Sequence, residues 1–156
     1  MLLALALGLP AIARTVSRPI EGVVVHVTDG DSLWVRPPGA AEALQVRIQG
    51  IDAPEICQAF GAQAREALAG HVLNRTVQVT PRARDRYHRL VARVSLRGQD
   101  VGAWLVGGGF AWGSHWRGRS TYGSEELAAK SARRGLWQAH SPLEPRLFRQ
   151  RHGSCH

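Results

Sequence analysis

The sequence predicts an α+β domain that is mainly β, with five short strands and about three helices interleaved among them. Its 156 residues are enough for one domain with a buried core, and 44% hydrophobic against 21% charged residues is ordinary for a folded protein. Runs rich in β-branched residues and bounded by turn residues predict the strands. The runs cover residues 22–28, 32–36, 44–49, 75–80 and 90–96.

Turn residues between the first three runs indicate an antiparallel meander. Asp29-Gly30 is a strong hairpin signal between the first two runs, and Pro37-Pro38 excludes a paired strand before the third. In the third run, apolar residues alternate with polar ones, so Arg47 faces away from the predicted core. Three such strands in succession favour a curled antiparallel sheet.

Three segments between and after these strands predict helices. The first covers residues 61–73, and the second follows Asp100 and ends at three glycines, 107–109. The third begins at Ser124 as N-cap, carries arginines 133 and 134 in its last turn, and stops at Gly135. Residues 141–156 form a tail with no periodicity. Five short strands with interleaved helices suit a Greek-key barrel of the OB type.

The charge balance favours a polyanionic partner. The formal net charge is +8, and Lys130 is the only lysine among 20 basic side chains, so the other 19 are arginines. A planar guanidinium binds two phosphate oxygens at once, which an ammonium does not. Compositional bias toward arginine on a solvated surface is the alternative explanation.

The first 13 residues resemble an export signal. An apolar run over residues 2–9 precedes Pro10 and the small-residue pattern Ala11-Ile12-Ala13, which predicts cleavage before Arg14. The run is too short to span a bilayer, which needs about 20 apolar residues. No positive residue precedes Leu2, and a buried N-terminal strand or helix is the alternative. A cleaved signal predicts a secreted or periplasmic protein with no membrane attachment.

The two cysteines predict a disulfide. Cys57 and Cys155 are the only pair in the chain, and an exported protein meets oxidising conditions. Neither lies in a Cys-x-x-Cys motif, which argues against a zinc or redox site. A bridge between them would anchor the tail to the domain, while two free thiols or pairing between chains are the alternatives.

Two clusters of carboxylates lie on predicted loops. Asp29 and Asp31 flank Gly30 at the hairpin tip, and Asp52 and Glu55 follow the third strand. Carboxylates brought into one space repel unless a cation intervenes, and ligands that are all oxygen select a hard cation such as Ca²⁺ or Mg²⁺. Ordinary turn chemistry is the alternative reading of each cluster taken singly.

Two arginines strengthen the metal hypothesis. Arg47 lies on the strand that leads to Asp52, and Arg89 directly precedes the last strand. Arginines beside a carboxylate-held metal suit phosphoryl chemistry, because charge grows on the phosphate oxygens in the transition state.

These segments resemble the signature motifs of the staphylococcal nuclease (thermonuclease) family. The three segments are Thr28-Asp29-Gly30-Asp31-Ser32, Val46-Arg47-Ile48 with Ile51-Asp52-Ala53-Pro54-Glu55, and Asp85-Arg86-Tyr87-His88-Arg89. Their order and spacing agree with the family, and the match extends over most of a nuclease domain at residues 20–140. The resemblance implies an OB-type barrel and a monomeric, Ca²⁺-dependent endonuclease that hydrolyses DNA and/or RNA and leaves 3′-phosphate ends.

The resemblance also implies a role for each motif residue. Asp31 and Asp52 correspond to the carboxylate ligands of one cation, Ca²⁺ rather than Mg²⁺ or Mn²⁺, and Ala53 to a ligand through its backbone carbonyl. Asp29 corresponds to an acid that supports these ligands. Glu55 corresponds to the general base, and Arg47 and Arg89 to the two phosphate clamps. The candidates for contacting the nucleotide are Tyr87, His115 and Trp116.

One departure from the family pattern concerns the second arginine. The family's usual glycine before it is His88 in this chain, which adds bulk and a titratable group. The main alternative to a nuclease is a catalytically silent OB module that only binds nucleic acid. Retention of Glu55, Arg47 and Arg89 favours the nuclease. A calcium-stabilised interaction module is a second alternative, and it leaves the two arginines unexplained.

Overall fold

The computed structural model describes residues 18–116, 118–153 and 155. The predicted export signal at residues 1–13 lies outside them. Within the described residues, no helix is long and apolar enough to cross a membrane. The larger strands are β1 (Ile20–Val27), β2 (Ser32–Arg36), β3 (Leu44–Ile48), β5 (Thr76–Arg84) and β6 (Leu90–Leu96). Two-residue strands are β4 (Ile51–Asp52), β7 (Gln99–Asp100), β8 (Trp112–Gly113), β9 (His115–Trp116) and β10 (Arg119–Ser120).

The five larger strands close into a barrel, which confirms the predicted mainly β, OB-type fold. They follow the order β3-β2-β1-β5-β6, and a parallel pairing between β3 and β6 closes the ring. The other neighbours are antiparallel. A bulge between Val24 and His26 changes the alternation in β1, so that Val24 and Val27 both reach the core.

Helices cover the barrel and its ends. They are α1 (Gly61–Val72), α2 (Val101–Gly107), α3 (Gly123–Ser131), a 3₁₀ turn (Gly135–Gln138) and α4 (Pro145–His152). Leu68 of α1 and Leu105 of α2 are fully buried in one continuous core with the inward residues of the strands. Burial of such side chains stabilises a domain by about 1.5–3 kcal/mol each.

Three expectations about the elements were wrong. The tail is not without regular structure, because Pro145 opens a fourth helix, where its fixed φ and missing N–H cost nothing. Helix α3 does not run from Ser124 to arginines 133 and 134: Tyr122 is its N-cap, the Ser124 hydroxyl donates to Glu125, and the helix ends at Ser131 with Lys130 in its last turn. The fourth long strand does not end at residue 80, since a bulge between Pro81 and Ala83 lets β5 continue to Arg84.

Candidate active site

The centre of the site is a buried aspartate at the β1–β2 turn. Asp31 is only 3% exposed, and it immediately precedes β2. Its Oδ1 accepts hydrogen bonds from Arg47 Nη1 at 2.8 Å and from Ser32 Oγ at 2.9 Å. Its Oδ2 accepts one from the Ala53 backbone N–H at 3.0 Å. Asp31 therefore ties the β1–β2 turn to the loop that follows β4.

Arg47 brings the two predicted ligand carboxylates together. It lies opposite Ser32 in the antiparallel pairing of β2 and β3, which places its guanidinium beside the turn. While Nη1 binds Asp31, Nη2 donates to Asp52 Oδ1 at 3.1 Å. The fork geometry of a single guanidinium thus spans both carboxylates.

Gly30 keeps the β1–β2 turn packed against the rest of the site. Its φ is not positive, so the turn does not use the left-handed conformation that the Asp-Gly pair suggests. A Cβ at Gly30 would lie 2.7 Å from the Ala53 Cβ and 2.9 Å from the Ala64 Cβ. Glycine is required here because the turn closely approaches α1 and the loop that follows β4.

Arg89 reaches the same site from the turn before β6. Its Nε donates to Asp85 Oδ2 at 2.8 Å and its backbone N–H to Asp85 Oδ1 at 3.0 Å, while Nη1 lies 3.4 Å from Ser32 Oγ. The parallel pairing of β3 with β6 sets Arg47 opposite Val91, two residues beyond Arg89. Both arginines therefore lie near Ser32.

The backbone conformation of His88 explains why the family pattern has a glycine before this arginine. Its φ is +63°, in the left-handed region that a glycine adopts without steric cost. The turn is held by His88 N–H donating to Asp85 O at 3.0 Å and by Arg84 Nη1 donating to His88 O at 2.9 Å. A histidine in place of the family's glycine therefore introduces backbone strain in this turn.

Glu55 lies on the loop after β4, and a third arginine contacts it. Arg149 Nη1 in α4 donates to Glu55 Oε1 at 2.5 Å. The loop is braced by Gln58, whose backbone N–H donates to Glu55 O at 2.8 Å and whose Oε1 accepts from the Glu55 N–H at 3.1 Å. A Cβ at Gly61 would lie 1.9 Å from Glu55 O, so α1 begins directly against this loop.

One open cleft of about 600 Å³ contains most of these groups. Its lining includes Asp29, Asp31, Arg47, Ala53, Glu55, Tyr87, Arg89 and Arg149. Asp52 lines an adjoining cleft instead, together with His115. The fold therefore brings the predicted acids, the base and both clamps to one place, with Asp52 at its edge.

Crowding of the carboxylates shifts their pKa values upward. Burial, with the neighbouring Asp31 carboxylate, raises the pKa of Asp29 to about 7. Burial and Asp31 likewise raise the pKa of Asp52 above its usual value, although Arg47 and Arg149 oppose the shift. Burial alone would lower the pKa of Arg47, but the surrounding carboxylates outweigh it and raise that pKa. An added cation would relieve this repulsion.

The donor chemistry fits a hard cation. Asp31 and Asp52 offer carboxylate oxygens, and Ala53 adjoins Asp31 through its backbone. Ca²⁺ and Mg²⁺ take oxygen ligands of this kind and complete their coordination with water. Within the part of the chain that the structure describes, no three His, Cys, Asp or Glu side chains are grouped so as to hold a metal by themselves. A cation here would thus also use backbone oxygen and water.

The three candidate nucleotide contacts are placed differently. Tyr87 is 60% exposed at the rim of the cleft, with the Arg86 guanidinium 4.8 Å and the Arg89 guanidinium 5.4 Å from its ring centroid. His115 is exposed in β9 and faces the adjoining cleft with Asp52. The backbone of Trp116 belongs to β9 as well. Of Tyr87 and His115, whose side chains the structure describes, Tyr87 shares the cleft of the arginines.

Sequence analysis missed three residues of the site. Asp85 stands in the third motif, where its spacing of four residues from Arg89 signals an ion pair. Gln58 braces the loop from a position with no sequence signal. Arg149 lies in the tail, where Pro145 followed by a basic last turn is the only indication of a helix.

Fold and cleft together define a small closed barrel that gathers acids and arginines on one side. Comparison with known families gives a match over residues 45–139 to the family model described as staphylococcal nuclease homologue. The chain therefore belongs to the staphylococcal nuclease family.

Its relatives include bacterial proteins of similar length. Protein ParB of Escherichia coli is 34% identical, over 94% of this chain and 89% of its own. The micrococcal nuclease of Shigella flexneri is 34% identical, over 90% and 88%. An uncharacterized endonuclease of Haemophilus influenzae is 32% identical, over 81% and 71%. Similarity to these proteins thus extends beyond the region that the family model matches.

Proposed function

We propose that this chain is a Ca²⁺-dependent endonuclease that hydrolyses phosphodiester bonds of DNA and/or RNA. The observation that carries the proposal is the convergence of Asp31, Arg47, Glu55 and Arg89 on one open cleft. Membership of the family and the printed names of two relatives, micrococcal nuclease and endonuclease, support the reaction class. A net charge of +8 supports a polyanionic substrate.

Arg47 and Arg89 bind the scissile phosphate in this proposal. Both guanidiniums are oriented by carboxylates, Arg47 by Asp31 and Asp52, and Arg89 by Asp85. Fixed donors of this kind stabilise charge as it develops on the phosphate oxygens and cost little reorganisation during the reaction. The arginines therefore contribute mainly to the transition state.

Glu55 accepts the proton of the attacking water. The water oxygen bonds to phosphorus, the bond from phosphorus to the 5′-oxygen breaks, and the leaving oxygen takes up a proton from solvent. The products are a 3′-phosphate end and a 5′-hydroxyl end. The Glu55 side chain is 22% exposed at the edge of the cleft, which gives water access to its carboxylate.

Asp31, Asp52 and the Ala53 carbonyl would hold the cation, with Asp29 supporting Asp31. Asp29 Oδ1 accepts the Asp31 N–H at 3.0 Å, which fixes the turn that presents Asp31. The cation would supply positive charge beside the phosphate and polarise it. Ca²⁺ is the proposed ion because flexible loop sites suit its larger radius and looser geometry.

Tyr87, with His115 and Trp116 further along the surface, would contact the nucleotide. An exposed aromatic ring beside two guanidiniums suits stacking of a base next to a bound phosphate. The protein would act as a monomer outside the cytoplasm, in the periplasm or secreted. Its disulfide is compatible with that oxidising location.

Incubation of the purified protein with plasmid DNA and with total RNA tests the proposal. Cleavage is expected with Ca²⁺, less with Mg²⁺, and none with excess chelator. Glu55→Gln should retain the fold, as seen by circular dichroism, and lose most of the rate. End-group analysis should find 3′-phosphates.

A binding module without catalysis would give a different result. It would retain nucleic acid on a filter or in a gel shift, yet leave it intact with every cation. Undiminished cleavage in excess chelator would instead support nuclease activity and contradict its dependence on a cation.

A further inference from the structure

A segment near the C-terminus is attached at both ends to the loop that carries Glu55. We call residues 143–153 with Cys155 the strap and residues 53–58 the catalytic loop. At one end, Gln58 Nε2 donates to Leu143 O at 2.5 Å. At the other, Cys57 forms the disulfide with Cys155. Both attachments come from neighbouring residues of the same loop that carries Glu55.

Helix α4 lies between the two attachments and packs on the domain. Pro145 is buried, and Phe148 lines an apolar pocket together with Phe60 and Leu136. The next residue, Arg149, lines the active-site cleft instead. Adjacent positions of a helix point in different directions. The strap therefore anchors α4 through Phe148 and presents Arg149 to Glu55.

The contact between Arg149 and Glu55 is specific to one oxygen. Arg149 Nη1 binds Glu55 Oε1 at 2.5 Å, whereas Arg149 Nη2 lies 3.8 Å from Asp52 Oδ2, beyond hydrogen-bonding distance. Among the described residues, no protein donor is hydrogen-bonded to Glu55 Oε2. One carboxylate oxygen is thus fixed by the protein, and the other is available to water.

We infer that Arg149 is a positioning residue, which holds the Glu55 carboxylate in the orientation required to accept the proton of the attacking water. The inference rests on the proposed nuclease function and goes beyond it, since it assigns a role to the strap. A base that is itself oriented by a third group is a general device of catalytic sites. Here the orienting group comes from 94 residues further along the chain.

An ordinary surface ion pair would not explain this arrangement. Exposed pairs contribute little to stability, because holding two long side chains in one geometry costs entropy. The Glu55 side chain is 22% exposed and its loop is braced by Gln58, while the arginine belongs to a segment held at both ends. The geometry constrains both partners, as orientation of a base requires.

Steady-state kinetics of Arg149→Ala, with Arg151→Ala as matched control, tests the inference. Arg151 is an exposed arginine of the same helix and lines none of the clefts described above. Arg149→Ala should lower kcat by roughly 10- to 100-fold, the range found when a supporting contact is removed, and change KM less than about three-fold. Arg151→Ala should keep kcat. Arg149→Lys should restore part of the loss, because it keeps a donor without the fork.

A double-variant cycle with Glu55→Gln identifies the residue through which Arg149 acts. If Arg149 works only by orienting Glu55, adding Arg149→Ala to Glu55→Gln should cause no further loss of kcat. Binding of a labelled single-stranded oligonucleotide in chelator, where no cleavage occurs, should be equal for wild type and Arg149→Ala. Circular dichroism confirms the fold of each variant, and Arg149→Lys carries the test if the alanine variant unfolds.

Several outcomes would overturn the inference. A raised KM with unchanged kcat, or weaker oligonucleotide binding, would make Arg149 a substrate contact. Losses that multiply in the double variant would separate it from Glu55, and faster turnover of Arg149→Ala would make the contact inhibitory. A large loss in Glu55→Gln with none in Arg149→Ala rejects this inference alone. A wild type that cleaves nothing with any cation rejects the proposed function as well.

Discussion

Removal of the Cys57–Cys155 disulfide should cost a large part of the stability of the domain. The bridge joins residues 98 positions apart, so it closes one long loop that contains α1 and every later element and leaves β1 to β4 outside it. In the chain-entropy model, a loop of about 100 residues loses enough freedom in the unfolded state to stabilise the native state by roughly 4–5 kcal/mol. For a domain of this size that corresponds to a fall in Tm of roughly 10–20 °C.

The double variant Cys57→Ser/Cys155→Ser, followed by urea and thermal unfolding, measures this effect without leaving a free thiol. Wild-type protein in reductant should behave like the double variant, and reductant should not alter the double variant itself. Hydrogen exchange adds a local readout. Amides of α4 should lose protection first, because the attachments described for the strap are then only non-covalent: the Gln58 hydrogen bond, the packing of Phe148 and the Arg149–Glu55 ion pair. A difference in unfolding free energy below about 1 kcal/mol would refute the entropic reasoning.

Other predictions concern the two arginine clamps, the turn before β6, the surface charge and one half-buried imidazole. Arg47→Ala and Arg89→Ala should each lower kcat by on the order of 10³-fold while KM changes little; turnover within a few-fold of wild type would make that arginine a mere surface charge. His88→Gly should stabilise the protein by about 1 kcal/mol in urea unfolding, since it relieves a left-handed backbone; a destabilised variant would contradict that. Binding of nucleic acid in chelator should weaken steeply with salt, and a flat plot of log affinity against log salt would show that arginines do not contact phosphates. Burial and Arg75 lower the pKa of His71, whose imidazole stacks on Trp104. The neutral imidazole therefore stabilises the folded state above pH 6.5, and this stabilisation is lost as the pH falls through the lowered folded-state pKa. His71→Phe should show a smaller drop in Tm between pH 7 and 5 than wild type.

The elements that sequence reasoning predicted well are those with local signals. Alternation and turn residues identified the five long strands, because a half-buried strand imposes a period of two on its own residues. Helical spacing of apolar residues identified α1, and Asp100 with the glycines at 107–109 identified α2. Helix α3 was located within a few residues, although its predicted cap was wrong. The end of β5 was missed, because Pro81 normally stops a strand and the bulge that accommodates it leaves no sequence signal.

What local patterns did not reveal depends on contacts between distant residues. The parallel pairing of β3 with β6 and the position of Arg149 beside Glu55 join segments far apart in the chain. Helix α4 was missed because its mostly charged sequence shows no apolar periodicity, although Phe148 packs in the apolar pocket. The grouping of Asp31 with Arg47 and Arg89 was expected from the family motifs, whereas their roles in catalysis remain predictions.

The parallel pairing of β3 with β6 also determines at which stage of folding the candidate active site forms. Val46 pairs with Leu90, so this pairing joins residues 44 positions apart, and the β1–β5 pairing, with Ile20 opposite Val79, joins residues 59 positions apart. Both separations exceed those in the hairpins of the sheet. Loops of that length close more slowly than hairpins, because their entropy is lost before the contacts form. Until closure, Arg47 and Arg89 stand on separate parts of the chain. With the roles proposed for these two arginines, a nascent or partly refolded molecule is expected to be inactive on nucleic acid, and recovery of activity in a refolding experiment should follow the slowest step of barrel formation.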